Sequence, residues 1–297
     1  MIIIKLLDWI NYDNMNWKYL SENPNAFSLL EANQDKIKWK YFSLNTNPYA
    51  IELLEKNLDK VNWINLCENV SAIPILKKHL DKVNWYFLSS NPNAFEILNE
   101  NQDKIVWDRL CLNRNPKAIL LLEQNPDKIN WKLLSSNPSA IRILELNPQK
   151  IDWSDLSVNP NAIHLLEKNQ DKIDWSLLST NPNAIGLLKS NPNKIVWSRL
   201  ATNPILFELL KDYPHRIEYC EFCVNPKAIE IIEYFNLLKK EEEEYNEDNY
   251  EKEIIEWGLL FLNPSIFTYD YEEMKKTKAD LNKEVIAKAI HLKRFFD

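Results

Sequence analysis

Glycine is nearly absent from this chain, which has only 2 among its 297 residues, Gly186 and Gly258. Phosphate-binding loops, dinucleotide-binding fingerprints and most tight hairpins need glycine, because it has no Cβ to clash. Apolar runs are short as well, and none approaches the roughly 18 residues of a membrane-spanning helix. The first residues, MIIIKLLDWI, have neither the basic start nor the small-residue cleavage site of a secretory signal. These features predict an intracellular protein that is neither a nucleotide-binding enzyme nor a membrane protein.

Charge is concentrated in one segment. Between Glu241 and Glu256 the chain has nine acidic residues and one basic residue, Lys252, which gives this segment a charge of −8. The whole chain carries −7, so the remainder carries +1. A nearly neutral body has no broad basic surface for a phosphate backbone. The charge distribution therefore does not favour nucleic-acid binding.

Tryptophan marks an internal repeat. From Trp17 to Trp197, consecutive tryptophans are 22 or 24 residues apart. Tyr219 continues the series after 22 residues, and Trp257 follows after a gap of 38. The shared frame is W-x-x-L-S-x-N-P-x-A-I-x-L-L-E-x-N-x-D-K-I-x. A fixed period of this length indicates a stacked array, since so short a unit cannot bury its apolar face alone. The residues that begin the successive units are Trp17, Trp39, Trp63, Trp85, Trp107, Trp131, Trp153, Trp175, Trp197, Tyr219 and Trp257.

Each unit is predicted to form two short helices. The asparagine of an Asn-Pro pair, such as Asn159, is a suitable N-cap, and proline is tolerated at the first helical position. Apolar residues then recur at intervals of three and four up to a second asparagine, such as Asn169, which we expect to end the helix in the left-handed conformation. The aspartate that follows, such as Asp171, is expected to cap the next helix. Asparagines repeated at one position are also expected to form a ladder that satisfies neighbouring backbone groups.

The frame NPNAIxLLExN-x-DKIxW resembles the short asparagine-rich repeats of giant DNA virus proteins, over about residues 17–236 and again from Trp257. The resemblance implies a viral helical repeat protein that acts by binding, in the host cytoplasm or in the virion. It brings no catalytic residues with it. Val70 and His79 depart from the frame in the third unit, as do Tyr213 and His215 in the ninth.

The predicted fold class is all-α. We expect an α-solenoid of about ten to eleven helix-turn-helix repeats with terminal capping helices, extending roughly 80–100 Å if helices pack at their usual separation. The expected division of this one continuous solenoid is an N-terminal cap at 1–16, the repeat array at 17–238, an acidic insertion at 239–256, a last repeat at 257–278 and a C-terminal capping helix at 279–297.

Residues that could carry out catalysis are better explained by the repeat. Cys220 and Cys223 form a CxxC pair, but Cys223 occupies the fifth repeat position, which is serine in most units, and no second pair of zinc ligands is present. The histidines lie at unrelated repeat positions. Glutamates and Asp-Lys pairs recur in nearly every unit, which indicates caps and surface pairs, because an active site is needed only once. We expect no catalytic residue, no metal and no cofactor.

The expected function is binding. The spacing of the tryptophans from the repeated Ile and Leu predicts core residues, although a base-stacking platform is the other interpretation. The twelfth repeat position varies freely and is the predicted contact surface. We therefore expect a non-enzymatic scaffold whose extended surface binds another protein. The alternatives are a structural, virion-packaged or self-assembling component and a nucleic-acid-binding repeat protein. The candidate contact residues are Glu52, Glu96, Arg142, His164, Glu208 and Glu230.

Overall fold

The computed structural model describes residues 4–6, 15–213, 216, 225–232, 234 and 263–269. Short helices in regular succession make up nearly all of this part of the chain, two to a unit. The first helix of each unit begins at the tryptophan, and these Trp helices are α1 (Trp17–Glu22), α3 (Trp39–Phe42), α5 (Trp63–Glu68), α7 (Trp85–Leu88), α9 (Trp107–Leu110), α11 (Trp131–Ser135), α13 (Trp153–Ser157), α15 (Trp175–Leu178) and α17 (Trp197–Leu200).

The second helix of each unit follows the turn at the first asparagine. These second helices are α2 (Phe27–Glu31), α4 (Pro48–Glu55), α6 (Ile73–Lys78), α8 (Phe95–Glu100), α10 (Pro116–Glu123), α12 (Ile141–Leu146), α14 (Ile163–Glu167), α16 (Ile185–Ser190) and α18 (Leu206–Asp212). Three-residue 3-10 helices such as Gln34–Lys36 connect many of them. Several predictions concern residues outside the described part, namely Tyr219, Trp257, the CxxC pair, the acidic insertion at 239–256 and the C-terminal helix at 279–297.

Six of the nine described Trp helices are capped by the side chain of the residue that precedes the tryptophan. The carboxylate of Asp174, for example, accepts a hydrogen bond from the backbone N–H of Leu177 at 3.0 Å. Asn16, Asn62, Asn84, Asn130 and Asp152 cap in the same way. The prediction that the aspartate of the Asp-Lys pair is the cap is wrong. Asp171 lies within the 3-10 helix Gln170–Lys172, three residues too early to reach the N–H groups of the Trp helix.

The asparagine that ends each second helix does not adopt the left-handed conformation. Asn169 has φ −136 and ψ 50, and no described residue has a positive φ. Its side-chain amide donates to the carbonyl of Leu165 at 2.9 Å, so it satisfies a carbonyl at the helix end without a glycine-like turn. His79 and Tyr213 have the same backbone angles and pack edge-on against Trp63 and Trp197. A chain with two glycines can therefore turn at every unit.

One leucine of the Trp helix, one apolar residue near the start of the second helix and one leucine within the second helix form the enclosed core of each unit. In the first unit these are Leu20, Ala26 and Leu30, all at 0% exposure, and equivalent residues are buried along the array. The nine described tryptophans that begin units pack against this core but are half-buried. A lysine of the same unit covers the open ring face in several cases, as Lys172 does for Trp153 at 4.5 Å. The tryptophans thus lie at the margin of the core.

The fifth position joins neighbouring units. Ser21 donates from Oγ to the carbonyl of Trp17 at 2.6 Å and accepts at 2.9 Å the backbone N–H of Lys38, the residue that precedes the Trp helix of the next unit. Cys67 and Cys111 replace serine as acceptors, with N···S distances of 3.3 and 3.4 Å. Burial raises the pKa of both thiols. These two cysteines therefore act as small buried residues, as the repeat predicts for this position.

The first asparagine of each unit, at repeat position seven, forms the expected ladder. Asn159 donates from Nδ2 to the carbonyls of Ser135 and Asn137, both at 2.9 Å. Its Oδ1 accepts the N–H of Asn161 at 3.0 Å, and its own N–H donates to the carbonyl of Leu156 at 2.9 Å. Every polar group of this buried side chain is satisfied, so the ladder joins units without an unpaired amide.

The ladder also closes on itself. Asn263 donates to the carbonyl of Asn225 at 2.6 Å, and Asn23 donates to the carbonyl of Asn263 at 3.2 Å. We call this closed series the asparagine circuit. Its eleven members are Asn23, Asn45, Asn69, Asn91, Asn113, Asn137, Asn159, Asn181, Asn203, Asn225 and Asn263.

Two further contacts join the first and last units. The amide of Asn25 donates to the carbonyl of Pro264 at 3.1 Å. Strand β1 (Ile4–Leu6) pairs antiparallel with strand β2 (Phe267–Tyr269), with Ile4 opposite Tyr269. The fold is therefore not wholly helical, and residues 4–6, which were predicted to belong to an N-terminal cap, form a strand with the last repeat.

The closed circuit differs from the α-solenoid with two capped ends that the sequence predicts. The hydrogen bonds between units return to the first unit, so the stacked units must curve. Closure over eleven units requires an average turn of about 33° per unit. The hydrophobic pattern predicts the stacking but carries no information on this curvature.

Candidate protein interface on the Trp helices

The twelfth repeat position is exposed in all described units, including all six candidate contact residues. Neighbouring side chains pair with several of them. Glu96 contacts Lys117 at 2.8 Å, and the ring of His164 contacts the carboxylate of Glu145 at 2.8 Å. Glu208 and Glu230 each pair with a lysine three residues away in the chain. Exposed pairs of this kind contribute little to stability. This surface is solvated and mixed in charge.

A second variable surface lies on the Trp helices, at repeat positions two and three. We call it the Trp-helix face. Side chains here contact one another from unit to unit: Asn130 donates to Asp108 at 3.1 Å, and Ser154 donates to Asp174 at 3.0 Å. The sequence interpretation did not single out this face, although the frame itself marks both positions as variable. Position two holds Lys18, Lys40, Ile64, Tyr86, Asp108, Lys132, Ser154, Ser176 and Ser198.

We infer that the Trp-helix face lies on the inner side of the closed circuit. Burial raises the pKa of Glu22, the ammonium of Lys18 lowers it, and the carboxylate of Glu68 raises it further. Glu22 and Glu68 hold the same repeat position two units apart. The helix contacts carry this inference. Consecutive Trp helices contact each other closely, as α1 does with α3, whereas consecutive second helices in the described part of the chain make fewer contacts, as expected when the Trp helices lie toward the inner side of a curve.

Large apolar side chains are exposed side by side on this face. Ile64 is 46% exposed and Tyr86 is 49% exposed, and they occupy the same position on consecutive Trp helices. The guanidinium of Arg109 lies over the Tyr86 ring at 4.7 Å and donates to Ser90 Oγ at 3.1 Å. The Phe87 ring meets Tyr86 edge-on at 5.1 Å. We call Ile64, Tyr86, Phe87 and Arg109 the aromatic cluster.

A group of lysines adjoins the aromatic cluster in the first two units. Lys18 Nζ is 4.7 Å from the centroid of the Tyr19 ring and 5.0 Å from that of Tyr41. A hydrogen bond with the Tyr41 hydroxyl raises the pKa of Lys18. Lys38 and Lys40 are exposed. We call Lys18, Lys38 and Lys40 the lysine cluster. In the described part of the chain, none of the three forms an ion pair within 4.0 Å.

The opposite part of the same face has small residues. Ser154, Ser176 and Ser198 hold the position that Lys40, Ile64 and Tyr86 hold earlier in the chain. A framework whose units are held by the same hydrogen bonds throughout therefore presents one arc of large aromatic, aliphatic and basic side chains and one arc of serines. That asymmetry is what a binding site on one side of a repetitive scaffold requires.

No metal-binding arrangement is present among the described residues, where no three or more His, Cys, Asp and Glu side chains are grouped to hold an ion. Within the same residues, no helix is both long enough and apolar enough to span a membrane.

Comparison with known proteins gives no relative. No model of a known protein family matches the chain, and neither the curated proteins nor the solved structures contain a match.

Proposed function

We propose that this protein is a non-enzymatic scaffold, a closed solenoid of eleven helical repeats that binds another protein on its Trp-helix face. The observation that carries the proposal is the exposure of Ile64 and Tyr86 next to each other on consecutive helices. Neither residue is needed to join the units, because the asparagine circuit and the fifth-position bonds do so in every unit around them. Exposed apolar groups of this size mark interaction sites.

The composition of the aromatic cluster favours a protein partner. Tyrosine and arginine are the residue types that dominate binding energy at protein interfaces, and concave faces of repeat proteins are their usual binding surfaces. The ring of Tyr86 is held from one side by Arg109 and from its edge by Phe87. A rigid aromatic side chain loses little conformational entropy on binding. The aromatic cluster is therefore preorganised for burial in an interface with a partner.

The alternatives gain less support. A self-assembling array of open solenoids needs free ends, but the first and last units contact each other through Asn23 and Asn263. Base stacking on the tryptophans needs open ring faces, but lysines cover several of them, as Lys36 covers Trp17 at 4.7 Å. Both observations favour a scaffold that works through the Trp-helix face.

The test is affinity capture with paired variants. Ile64→Ser with Tyr86→Ser removes the apolar centre of the Trp-helix face. Leu120→Ser with Leu146→Ser is the matched control, since these leucines are 53% and 68% exposed on the second helices. Tagged wild type, variant and control would be expressed in the same cells, and captured proteins quantified by mass spectrometry.

We expect the wild type and the control to capture the same partner and the Ile64/Tyr86 variant to lose it, with equal thermal stability for all three. Loss of the partner in the Leu120/Leu146 control alone would instead assign binding to the second helices, where the twelfth-position residues lie. Capture unchanged by both pairs would overturn the proposed interface.

A further inference from the structure

The repeat brings two variable residues together between consecutive units. The residue before each tryptophan lies beside position two of the preceding unit, as Asn130 beside Asp108 and Asp174 beside Ser154. In both cases the two side chains are complementary and share a hydrogen bond. The corresponding positions around the first Trp-to-Trp interval hold Lys18 and Lys38. Two lysines therefore occupy positions that hold a donor and an acceptor in those two units.

Lys38 lacks the structural role that this position has in most units. It holds the N-cap position of its helix but provides no cap, whereas asparagine or aspartate caps the Trp helix in most other units. Lys18 and Lys40 approach the same aromatic ring, with their Nζ atoms 5.0 and 5.9 Å from the centroid of Tyr41. Lys38 and Lys40 are exposed and form no ion pair within the described part of the chain, so their charges are available to a ligand.

We propose that the lysine cluster binds acidic side chains of the protein partner, which lie over Lys18, Lys38 and Lys40 while apolar residues of the same segment pack on Ile64 and Tyr86. This inference rests on the proposed function and identifies the chemistry of the partner. A polypeptide can combine carboxylates and apolar groups along one extended segment, which matches a lysine cluster that adjoins an aromatic cluster.

A nucleic acid fits the same arc less well. Glu68 is exposed one turn after Ile64 and would repel a phosphate backbone that follows the face. The chain as a whole carries −7, so no long-range attraction draws a polyanion to it. A peptide with a few acidic residues is not subject to either restriction, because its charges can be confined to the lysine cluster.

The test is selection from a library of random peptides displayed on phage. Wild type is compared with the variant Lys18→Gln, Lys38→Gln, Lys40→Gln and with the variant Ile64→Ser, Tyr86→Ser. We expect wild type to select peptides that combine acidic and apolar residues. The selected peptides should bind the glutamine variant about tenfold more weakly, and binding to wild type should weaken as salt is raised.

The outcomes separate this inference from the proposed function. Selected peptides without acidic residues, or equal binding to wild type and the glutamine variant, would overturn the inference. In that case, loss of peptide binding by the Ile64/Tyr86 variant would still support the proposed interface. Selection of no peptide, or of peptides that bind all three proteins equally, would count against both. Fluorescence anisotropy with oligo(dT) completes the test: tighter binding of oligo(dT) than of the selected peptides would assign the lysine cluster to nucleic acid and overturn the inference.

Discussion

The side-chain amide of Asn23 donates to the backbone carbonyl of Asn263, a residue 240 positions later in the chain, at 3.2 Å. The bond has the same form as those that join every other pair of neighbouring units, for instance Asn45 with Asn23 at 2.9 Å. The first unit therefore has a neighbour on both sides. In an open repeat array the terminal units lack one neighbour and are its weakest part. Closure removes that weakness and fixes the curvature of the Trp-helix face.

Truncation after Glu256 should open the circuit. It removes Asn263 and strand β2, so Asn23 loses its acceptor and β1 its partner. We expect the maximum dimension from small-angle scattering to increase as the closed molecule becomes an open arc. Asn113→Ala in the full-length chain is the control, because it weakens the circuit far from the point of closure and should leave the dimension unchanged. A truncated protein with the dimension of the full-length chain would contradict closure by the last unit.

A single asparagine of the circuit should contribute strongly to stability. Asn113→Ala leaves the carbonyl of Ser89 and the N–H of Asn115 without a partner and removes one of the two hydrogen bonds to the carbonyl of Asn91. Unsatisfied buried groups cost about 1–3 kcal/mol each, and partial relaxation leads us to expect a loss of about 2–4 kcal/mol in the free energy of unfolding. Urea denaturation followed by circular dichroism measures it.

The matched control for this prediction is Asn93→Ala. Asn93 also donates its amide to a preceding unit, at the carbonyl of Val70, but it is exposed and water can replace the bond. We expect the loss to stay under about 1 kcal/mol. Equal losses for Asn93 and Asn113 would mean that burial of the circuit is not what makes it stabilising.

Much of the fold could be predicted from the sequence because each unit repeats the same local rules. The Trp period, the Asn-Pro turn and the ladder at position seven all follow from spacing and hydrogen-bonding capacity. The closure could not be predicted, since Asn263 is separated from Asn225 by 38 residues rather than 22 and the curvature of the array has no sequence signature. The prediction of a left-handed turn at Asn169 was wrong, because the hydrogen bond from its side chain to the carbonyl of Leu165 provides another way to end the helix.

The candidate site was only partly accessible from the sequence for a related reason. The sequence shows that the twelfth repeat position varies and that positions two and three vary as well. It does not show which of the two surfaces, that of the second helices or the Trp-helix face, is concave. Ile64 and Tyr86 gain their significance from being neighbours on consecutive Trp helices, which depends on the packing of α5 against α7.

The buried thiols should react slowly. Burial raises the pKa of Cys67 and Cys111, and each sulfur also accepts a backbone hydrogen bond. In a Cys220→Ser, Cys223→Ser background, we expect modification by a disulfide reagent at neutral pH to be far slower in the native protein than in urea. Cys111→Ser should retain or increase stability, because serine holds this position in most units. Rapid modification of the native protein would contradict the burial of these residues.

Glu22 should make stability depend on pH. Burial raises its folded pKa above the ordinary value of 4.5, so the folded protein binds this proton more tightly than the unfolded chain. The stability that the folded state gains by holding the proton on Glu22 is therefore fully present below pH 4.5, and it is lost as the pH rises through the folded pKa. Glu22→Gln carries no charge, so we expect it to be more stable than wild type at neutral pH, with the difference shrinking in acid.

Urea denaturation of both proteins at several pH values measures this dependence. Glu68→Gln is the companion variant, since Glu68 is exposed and acts on Glu22 only through its charge. It should raise stability at neutral pH less than Glu22→Gln does. A Glu22→Gln variant that is less stable than wild type at neutral pH would show that the carboxylate makes favourable interactions that outweigh its burial.

Trp153 and Lys172 test whether the tryptophans support the fold or form a binding surface. The indole packs on the core with its open face under the ammonium of Lys172, 4.5 Å from the ring centroid. Because the side chain is half-buried, we expect Trp153→Ala to cost about 2–4 kcal/mol, toward the low end for tryptophan truncation. Lys172→Met keeps an aliphatic cover and removes the charge, so it should cost less than about 1 kcal/mol. Circular dichroism in urea measures both without relying on tryptophan fluorescence. If Trp153→Ala left stability unchanged and weakened capture of the partner, the tryptophans would be contact residues and the interface would extend beyond the Trp-helix face.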